Sequence, residues 1–415
     1  MARIIFATIF VTFILSLDLY IWSAFKTYFV SNPVVKYLYW MISILTIAAI
    51  FYPAINSNMT LYPGYMVVIF GFIFAIVASK MTVAFPLIID DVIRLFKQLY
   101  RLLFSSTDQS SVAEPITRLN FLKKTAFGFG AVTLSLLTYG ILIGRYNFKK
   151  HFVKLNLKNY PKGEKPLRII QISDLHLGSF QSVSKLTEAV NLINNENPDL
   201  IVFTGDLVNN FPSEARPFVE VMKKLKAKYG KYSVLGNHDY ADYIGLNRST
   251  ELGLSKWNES FQEMLSIHKS MGFDLLLNET RVLKVSNVEI NIVGVENWGS
   301  GRFSKYGDLN KALENSKENI PTFLLSHDPT HWESKVLKSD QHIDLQMAGH
   351  THGMQFGVEV GKFKWSPVKW RYKHWAGLYQ KGNNYLYVNR GIGHLGYPGR
   401  VGILPEISII DVQSA

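Results

Sequence analysis

Four long apolar runs occupy the first third of the chain and constrain its fold more than any other feature. They cover residues 4–25, 37–55, 61–79 (extended past Lys80 to residue 89) and 125–143, and Asp18 is the one charged residue in the first run. Each run has about the ~20 residues that a helix needs to cross the hydrocarbon core of a bilayer. The intervening sequence is too short and too apolar to cover four such helices in water. The runs therefore predict a transmembrane module of about four helices over residues 1–145.

Residues 90–104, DDVIRLFKQLYRLLF, show a different pattern between the third and fourth runs. Apolar side chains recur at helical spacing, while Arg94, Lys97 and Arg101 fall on another face. The pattern predicts a basic amphipathic helix on the membrane surface, or a continuation of the third span with a similar consequence. Asp18 has two readings as well: an intramembrane carboxylate with a function, or a side chain that reaches the interface from near its helix end.

The basic residues favour, by a small margin, an orientation with the amino terminus outside and the carboxy-terminal domain on the exported side. The stretch TRLNFLKK, residues 117–124, is similar to the twin-arginine export pattern, with Leu119 in place of the second arginine. We therefore expect a multi-pass protein of the cell (inner) membrane whose carboxy-terminal domain lies on the exported side.

The composition limits the partners that the chain can take. No cysteine is present, which excludes disulfides, iron–sulfur clusters and thiolate metal sites, so any metal ion must be held by His, Asp, Glu or Asn. The net charge of +12 is spread along the chain and suits anionic substrates or a lipid surface. Nucleic-acid binding is not expected, because no clustered basic stripe is present.

Beyond a linker predicted over residues 146–165, six short apolar runs each end in polar residues. Their ends carry Asp174 and His176, then Asp206, then Asn237, His238 and Asp239, then Glu296 and Asn297, then His327, and finally His350 and His352. The runs read as buried strands, and helical patterns at 183–194 and 217–228 make βαβ units of an α/β fold. Because loops at the carboxyl ends of such strands gather at one edge of a sheet, the polar residues should meet there.

This set of side chains suits two divalent metal ions. Such a pair, roughly 3.5–4 Å apart, needs oxygen and nitrogen ligands together with a bridging carboxylate. Asp206 is placed to bridge, and Asn237 offers a neutral amide oxygen. The stretch GHTHG, residues 349–353, also fits an ordinary polar turn, but on a tight loop its two histidines can serve different metals. The ligand types accept Mn, Fe, Zn or Co, with Mn favoured.

In order and spacing, Asp-x-His, Gly-Asp, Gly-Asn-His-Asp, a lone His and Gly-His-Thr-His resemble the calcineurin-like metallophosphoesterases. The resemblance extends over residues 166–412, and the ending NRGIGHLGYPGRVGILPEISIID is similar to that of a bacterial membrane-associated branch. It implies a catalytic domain over residues 166–415 with a two-sheet β-sandwich flanked by helices. It also implies hydrolysis of a phosphodiester or pyrophosphate bond by a metal-bridging hydroxide, on a lipid-linked or envelope-precursor substrate near the bilayer.

The resemblance also implies roles for individual residues. One metal is implied on Asp174, His176, Asp206 and His352, and the second on Asp206, Asn237, His327 and His350. His238 is implied as the proton donor to the leaving group, with Asp239 orienting it. The alternative function is a membrane scaffold that keeps this fold without catalysis; a transporter is less favoured, since the spans show no paired repeats.

Three further groups of residues have roles or positions that the sequence leaves less defined. His394 and Arg400 either contact a phosphate group of the substrate or lie in a polar glycine-rich turn. The run KFKWSPVKWRYKHW, residues 362–375, is either a flap that meets lipid headgroups or a hairpin whose aromatic residues pack. Histidines without a surrounding motif are expected at the surface: His151, His268, His331, His342 and His374.

Overall fold

The computed structural model describes residues 2–29, 32–55, 64–104, 116–246, 248–299, 301, 303–361 and 363–415. The chain separates into two units, Met1–Ile141 and Leu142–Ala415.

The first unit consists of four helices: α1 Ala2–Phe29, α2 Pro33–Ile55, α3 Gly64–Phe104 and α4 Ile116–Leu142. All four are long and apolar enough to cross a membrane, and at most 33% of the residues in any one spanning window are buried inside the unit. Most of the large apolar side chains therefore face outward, as expected for helices that are surrounded by lipid. The predicted module of four apolar helices is confirmed; residues 61–63 of the third run lie outside the described residues.

The amphipathic pattern at 90–104 does not form a helix of its own, because it continues α3. That helix has 41 residues and a length of about 60 Å, about twice the thickness of a hydrocarbon core. Nothing in the sequence interrupts it at residue 90, and Asp90 and Arg94 form an ion pair one turn apart inside it. The helical pattern is confirmed as a continuation of the third span, which was the alternative, and a position on the membrane surface stays a prediction.

Asp18 lies inside the helical unit and does not reach its surface. Its side chain is fully buried, with Oδ1 2.5 Å from Nζ of Lys80. The hydroxyl of Tyr39 donates to the same oxygen over 3.1 Å, and Nζ of Lys80 also donates to the hydroxyl of Ser43. A buried carboxylate needs such a partner; the pair joins α1 to α3, and the hydroxyls of Tyr39 and Ser43 add α2.

The second unit is built on two six-stranded sheets. The first sheet has the order β1-β14-β2-β3-β4-β5 and the second the order β12-β13-β9-β8-β7-β6, while β10 and β11 form a separate hairpin. The strands are β1 Lys149–Leu157, β2 Leu167–Ile172, β3 Leu200–Phe203, β4 Lys231–Ser233, β5 Asp274–Leu275, β6 Glu279–Val285, β7 Val288–Gly294, β8 Thr322–Leu325, β9 Leu345–Ala348, β10 Val358–Val360, β11 Phe363–Trp365, β12 Gly377–Lys381, β13 Asn384–Val388 and β14 Glu406–Ser414. The helices are α5 Val183–Asn194, α6 Val219–Met222, α7 Glu251–Ser270, α8 Leu309–Leu313 and α9 Thr330–Ser334.

Three apolar cores stack the sheets and helices into four layers. Side chains from both sheets, such as Leu167 of the first and Ile290 of the second, fill the core between them. The opposite face of the first sheet, including Ile170 and Ile172, packs with α5, α6 and α7. The outer face of the second sheet packs with α8 and α9. Strands covered on both faces read as continuous apolar runs, and the expected two-sheet sandwich flanked by helices is confirmed.

The predicted linker at 146–165 contains a strand. Residues 149–157 form β1, which pairs in parallel with β14 at the edge of the first sheet. Leu155 and Leu157 alternate with exposed residues and enter the core between the sheets. The helix predicted at 217–228 is also shorter than expected: α6 covers one turn and follows a 3-10 segment through Pro212–Phe218. The helix at 183–194 is present as α5.

A buried ion pair holds the start of the last strand. Arg390 follows β13 and donates through Nη1 to the carboxylate of Glu406 and through Nη2 to Glu359, the latter over 2.6 Å. The hydroxyls of Tyr387 and Ser408 donate to the other oxygen of Glu406. Burial alone would raise the pKa of Glu406, but the charge of Arg390 outweighs it and lowers that pKa to about 2.

Candidate metal centre

The predicted ligands meet at the carboxyl ends of strands from both sheets. In the first sheet, β2 leads to Asp174 and His176, β3 to Asp206 and β4 to Asn237. In the second sheet, β8 leads to His327 and β9 to His350 and His352. Within each sheet these strands run parallel to one another, so their carboxyl ends lie at one edge of it. Six of the seven side chains are buried, and His350 is partly buried.

The ligand loops have an unusual backbone. Asp174, His176, Asp206, His350 and His352 adopt positive φ angles of 51°, 45°, 59°, 74° and 51°. Left-handed backbone is uncommon and costs energy for residues with a Cβ, and such residues cluster where function fixes a side chain. Here it turns each loop sharply at the strand end, so that both His350 and His352 point toward the cluster.

Two glycines allow these loops to approach one another. A Cβ on Gly349 would lie 1.9 Å from Oγ of Ser173 and 2.2 Å from Oδ2 of Asp174. A Cβ on Gly236 would lie 2.2 Å from Oδ1 of Asp206. Any larger residue at either position would push a carboxylate away from the cluster, which explains the glycines before His350 and Asn237.

The first group of potential ligands is Asp174, His176 and His352. Nε2 of His352 lies 3.2 Å from Oδ1 of Asp174 and 2.9 Å from Nε2 of His176. The backbone amide of His350 donates to the carboxylate of Asp174, which fixes its direction. All three ligand atoms lie close enough together to hold one metal ion.

The second group is Asp206, His327 and His350. Nε2 of His327 lies 3.1 Å from Oδ2 of Asp206 and 3.2 Å from Nδ1 of His350. The side-chain oxygen of Asn237 is buried and has no hydrogen-bond partner among the described residues. Asn237 precedes His238, whose amide donates to Asp206, and an orphaned buried amide oxygen on this loop fits a site for a hard or borderline divalent cation.

Asp206 lies between the two groups. Its Oδ2 is 3.6 Å from Nε2 of His176, in the first group, and 3.1 Å from Nε2 of His327, in the second. Its Oδ1 accepts the backbone amide of His238 over 2.9 Å. One carboxylate oxygen thus faces both groups, as a bridging ligand requires.

Hydrogen bonds on the far side of the ring fix three of the histidines. Nδ1 of His327 donates to the carbonyl of Thr204 over 2.7 Å, and Nε2 of His350 lies 2.7 Å from the hydroxyl of Tyr372. Nδ1 of His238 donates to the carbonyl of Asn209 over 2.7 Å. Such partners set the tautomer and the direction of a metal-binding or catalytic imidazole.

Asp239 does not orient His238, contrary to the expectation from the resemblance. Its carboxylate accepts backbone amides of Asp206, Leu207 and Gly236 at 2.8–2.9 Å. The side chain therefore shapes the loop that carries Asp206, and the carbonyl of Asn209 orients His238. Every residue has a backbone carbonyl, so the sequence could not indicate which one orients His238.

The electrostatics follow from burial and close charges. Burial alone would raise the pKa of Asp206, but the neighbouring His327 outweighs it and holds that pKa well below its usual value. Burial would lower the pKa of His327, but Asp206 raises it to about 10. Burial lowers the pKa of His176, and the charge of His352 adds to this effect. Without metal, the charges of the carboxylates and of the protonated imidazoles thus stabilise one another. A metal ion that binds there would displace the protons of those imidazoles.

His394 and Arg400 are both buried and belong to the segment behind the first group. Nη2 of Arg400 lies 3.3 Å from Nδ1 of His352 and donates to the carbonyls of Arg390 and Gly393. The reading of this segment as an exposed polar turn is therefore wrong. Contact of either residue with a substrate stays a prediction.

Two histidines that were expected at the surface are buried. His268 of α7 is 1% exposed, and its Nδ1 lies 2.9 Å from the hydroxyl of Ser233. His331 of α9 is fully buried against the hydroxyl of Ser326, 2.8 Å away. Both lie on the inner faces of helices, where a serine satisfies one ring nitrogen, and this pairing has no signature in the sequence.

The two readings of residues 362–375 apply to different side chains. Tyr372 and Trp375 are buried and pack with Val368 and Ile403, whereas Phe363 and Trp370 are 63% and 76% exposed. Lys362 lies outside the described residues. The buried pair includes Tyr372, which contacts His350, so this segment links an exposed apolar surface to the candidate metal centre.

The model of the calcineurin-like phosphoesterase family matches residues 167–354, which contain the cluster described above. A second model, of a probable calcineurin-like phosphoesterase transmembrane domain, matches residues 2–145. The chain belongs to the calcineurin-like phosphoesterase family. With its four apolar helices, it is a membrane protein of that family.

Relatives occur in bacteria and in animals. The uncharacterized metallophosphoesterase YkuE of Bacillus subtilis is 28% identical over 314 residues, which cover 72% of this chain and 98% of that protein. The transmembrane protein with metallophosphoesterase domain of Danio rerio is 30% identical; the match covers 68% of this chain and 62% of the fish protein. The phosphodiesterase YaeI of Escherichia coli is 29% identical, with 60% of this chain and 82% of that protein covered.

Proposed function

We propose that the protein is a membrane-bound dinuclear-metal phosphoesterase that hydrolyses phosphodiester or pyrophosphate bonds. The position of Asp206 is the observation that carries this proposal, because a single oxygen of its carboxylate faces histidines from both groups of potential ligands. Asp174, His176 and His352 would hold one divalent ion, and Asn237, His327 and His350 the other, with Asp206 shared. The phosphodiesterase name of the Escherichia coli relative supports the same reaction type.

The residues present fit two divalent ions of the Mn, Fe, Zn or Co class, with Mn favoured. Bound there, the ions would lower the pKa of a coordinated water to near 7 and neutralise charge on the phosphate. The protein supplies the geometry. Strained loops and the hydrogen bonds of Thr204 and Tyr372 hold the imidazoles in place before any metal binds.

His238 would protonate the leaving oxygen. Its Nδ1 is committed to the carbonyl of Asn209, which leaves Nε2 as the ring nitrogen that can carry a proton to the substrate. Its ring also contacts Tyr243, with 3.7 Å between ring centroids, so the imidazole has a fixed plane. Asp239 would act on this step only by holding the loop that carries Asp206.

We further propose a substrate that lies at the bilayer, such as a lipid-linked or envelope-precursor phosphodiester. The segment beside the candidate centre exposes Val360, Phe363 and Trp370, at 63–76%, among the basic residues Lys369, Arg371 and Lys373. Apolar and basic side chains together suit the region of anionic lipid headgroups. Tyr372 connects this surface to His350. We retain the cell membrane and the exported side as the proposed location of the catalytic domain.

The test is hydrolysis of bis-p-nitrophenyl phosphate by the full chain in detergent, stripped of metal and refilled with Mn²⁺. Turnover that requires metal and is absent from Asp206→Asn and His350→Ala supports the proposal. The exposed histidine variant His342→Gln is the matched control and should retain full activity. Failure to bind any metal would favour the alternative, a scaffold that keeps the fold without catalysis.

The lipid part of the proposal has its own test. Phe363→Ser and Trp370→Ser should raise KM for a phosphodiester presented in micelles and leave KM for the water-soluble ester unchanged. Equal effects on both substrates would contradict a headgroup-facing role for this surface.

A further inference from the structure

Three buried basic side chains behind the first group of ligands have no use in the proposed reaction. Arg145, His394 and Arg400 are 9%, 1% and 0% exposed. Within the described part of the chain, the following buried atoms have no hydrogen-bond partner: Nε and Nη1 of Arg145, both ring nitrogens of His394, and Nη1 of Arg400. Buried donors are almost always satisfied, so this concentration of unpartnered nitrogen atoms indicates a missing acceptor.

The three side chains lie in the same region of the second unit. Burial lowers the pKa of His394 well below its usual value, and the charges of Arg145 and Arg400 both add to the effect. Gly144 packs against the backbone of Arg400, since a Cβ there would lie 2.1 Å from the Arg400 carbonyl oxygen. The rings of Tyr146 and Phe180 both lie near the His394 imidazole, each with 6.4 Å between ring centroids.

The two guanidinium groups are held in place but are not neutralised. Arg400 donates through Nε and Nη2 to the carbonyl of Gly393, and only Nη1 is left over. Arg145 donates through Nη2 to the side chain of Gln181 over 3.4 Å. In the residues that the structure describes, neither arginine forms an ion pair with a carboxylate. Asp174 and Glu406 act on Arg400 from a distance and are bonded elsewhere, to the amide of His350 and to Arg390.

We propose that Arg145, His394 and Arg400 form an anion site that binds a phosphate group beside the metal centre. Guanidinium groups with fixed planes and spare N–H donors match phosphate oxygens, and a neutral imidazole adds one more donor. Arg400 contacts His352 over 3.3 Å, so a phosphate held there would lie close to the first group of ligands. That phosphate would be a second phosphate of the substrate or the headgroup phosphate of a membrane lipid.

The sequence position of Arg145 favours the lipid source. This residue follows Leu142, the last residue of the spanning helix α4, by three positions. The choice of phosphate as the anion rests on the proposed function. Binding itself needs neither the metal ions nor hydrolysis, so the two proposals can fail separately.

The test measures phosphate binding by the full chain in detergent after removal of metal with a chelator. Inorganic phosphate should raise the midpoint of thermal unfolding relative to chloride at equal ionic strength, because a ligand of the folded state stabilises it. The variant Arg145→Met should bind phosphate at least about 10-fold more weakly, as expected when a charge-assisted contact is lost. Arg216→Met is the matched control, since that arginine is exposed and paired with Glu263.

Two further measurements separate phosphate binding from folding and from hydrolysis. Without phosphate, Arg145→Met should unfold at a temperature no lower than the wild type, because the substitution removes a buried, unpaired cation. Asp206→Asn should abolish hydrolysis and leave the effect of phosphate unchanged. An equal effect of phosphate on the wild type and Arg145→Met, or no effect on the wild type, would overturn the anion site.

Phosphatidylglycerol in the micelles distinguishes the source of the phosphate. Stabilisation of the wild type over Arg145→Met at lower concentrations of this lipid than of inorganic phosphate supports a headgroup. The reverse order supports a soluble phosphate group. No difference between the two proteins with either compound would again overturn the site.

Discussion

Nε2 of His350 lies 2.7 Å from the hydroxyl of Tyr372, while Nδ1 of the same ring faces Nε2 of His327 across 3.2 Å. The histidine comes from the loop after β9, whereas the tyrosine follows the hairpin and is almost fully buried. The phenol therefore determines which ring nitrogen is available to a metal ion. A tyrosine in this position is a partner outside the ligand set, of the kind that usually tunes metal affinity.

Replacing Tyr372 with phenylalanine should weaken the binding of one metal ion and leave the fold intact. The variant keeps the packed ring and loses only the hydroxyl that orients His350, so we expect a loss of about 10–100-fold in affinity. Competition with a chelator measures this loss. Tyr160→Phe is the matched control, because its hydroxyl donates to a backbone carbonyl, that of Lys165, over 2.7 Å outside the cluster. Equal affinities in the two variants would contradict the role of Tyr372.

Replacing His238 should slow the chemical step and leave both metal ions bound. Because the resemblance places His238 outside both ligand sets, and its Nδ1 is bonded to the carbonyl of Asn209, we expect Nε2 to transfer a proton to the leaving group. His238→Gln should lower kcat by about 10²–10⁴-fold, the usual effect of removing a general acid. Metal content and steady-state rates are measured together. Loss of a metal ion would instead make His238 a ligand, since its ring also lies within reach of His176 and Asp206.

His268 should make the protein sensitive to mild acid. Burial lowers its pKa to about 3 in the folded protein, whereas the unfolded chain takes up the proton near pH 6.5. Above pH 6.5, His268 therefore does not lower the free energy of unfolding. As the pH falls toward 3, its burial lowers the free energy of unfolding by about 1.4 kcal/mol per pH unit. Unfolding of metal-free protein between pH 6.5 and 4 should depend less steeply on pH in His268→Gln. A slope equal to that of the wild type and of the exposed control His342→Gln would disprove this assignment.

Arg390→Met should destabilise the protein strongly. The substitution leaves the fully buried carboxylate of Glu406 without its cation, which typically costs about 3–5 kcal/mol. Urea-induced unfolding in detergent measures the change. The double variant Arg390→Met with Glu406→Gln should recover part of the loss, since no buried charge remains. A double variant that is less stable than Arg390→Met would show that the pair does not act in this way.

The sequence was informative wherever a local pattern determined the structure. Each metal-ligand candidate directly follows a buried strand, and parallel strands carry their carboxyl ends to one edge, so the meeting of these residues could be anticipated. The four apolar helices follow from length and composition alone. Ligation itself stays a prediction until metal is measured.

The sequence was less informative where distant parts of the chain meet. Strand β1 was read as a linker because its partner, β14, lies at the far end of the chain and the apolar alternation is short. The contact of Tyr372 with His350 and the burial of His268 depend on packing between elements. The partner of His238 is a backbone carbonyl, and the carboxylate of Asp239 turned out to hold amides of its neighbouring loop.

The central claim is that one carboxylate, Asp206, joins two metal ions. Its most direct test is the number of metal ions per chain, measured by mass spectrometry on Mn²⁺-loaded wild type and on Asp206→Asn, with His342→Gln as the control. We predict two ions per chain in the wild type and the control, and at most one in Asp206→Asn. A single ion in the wild type, or two ions in Asp206→Asn, would contradict the dinuclear centre.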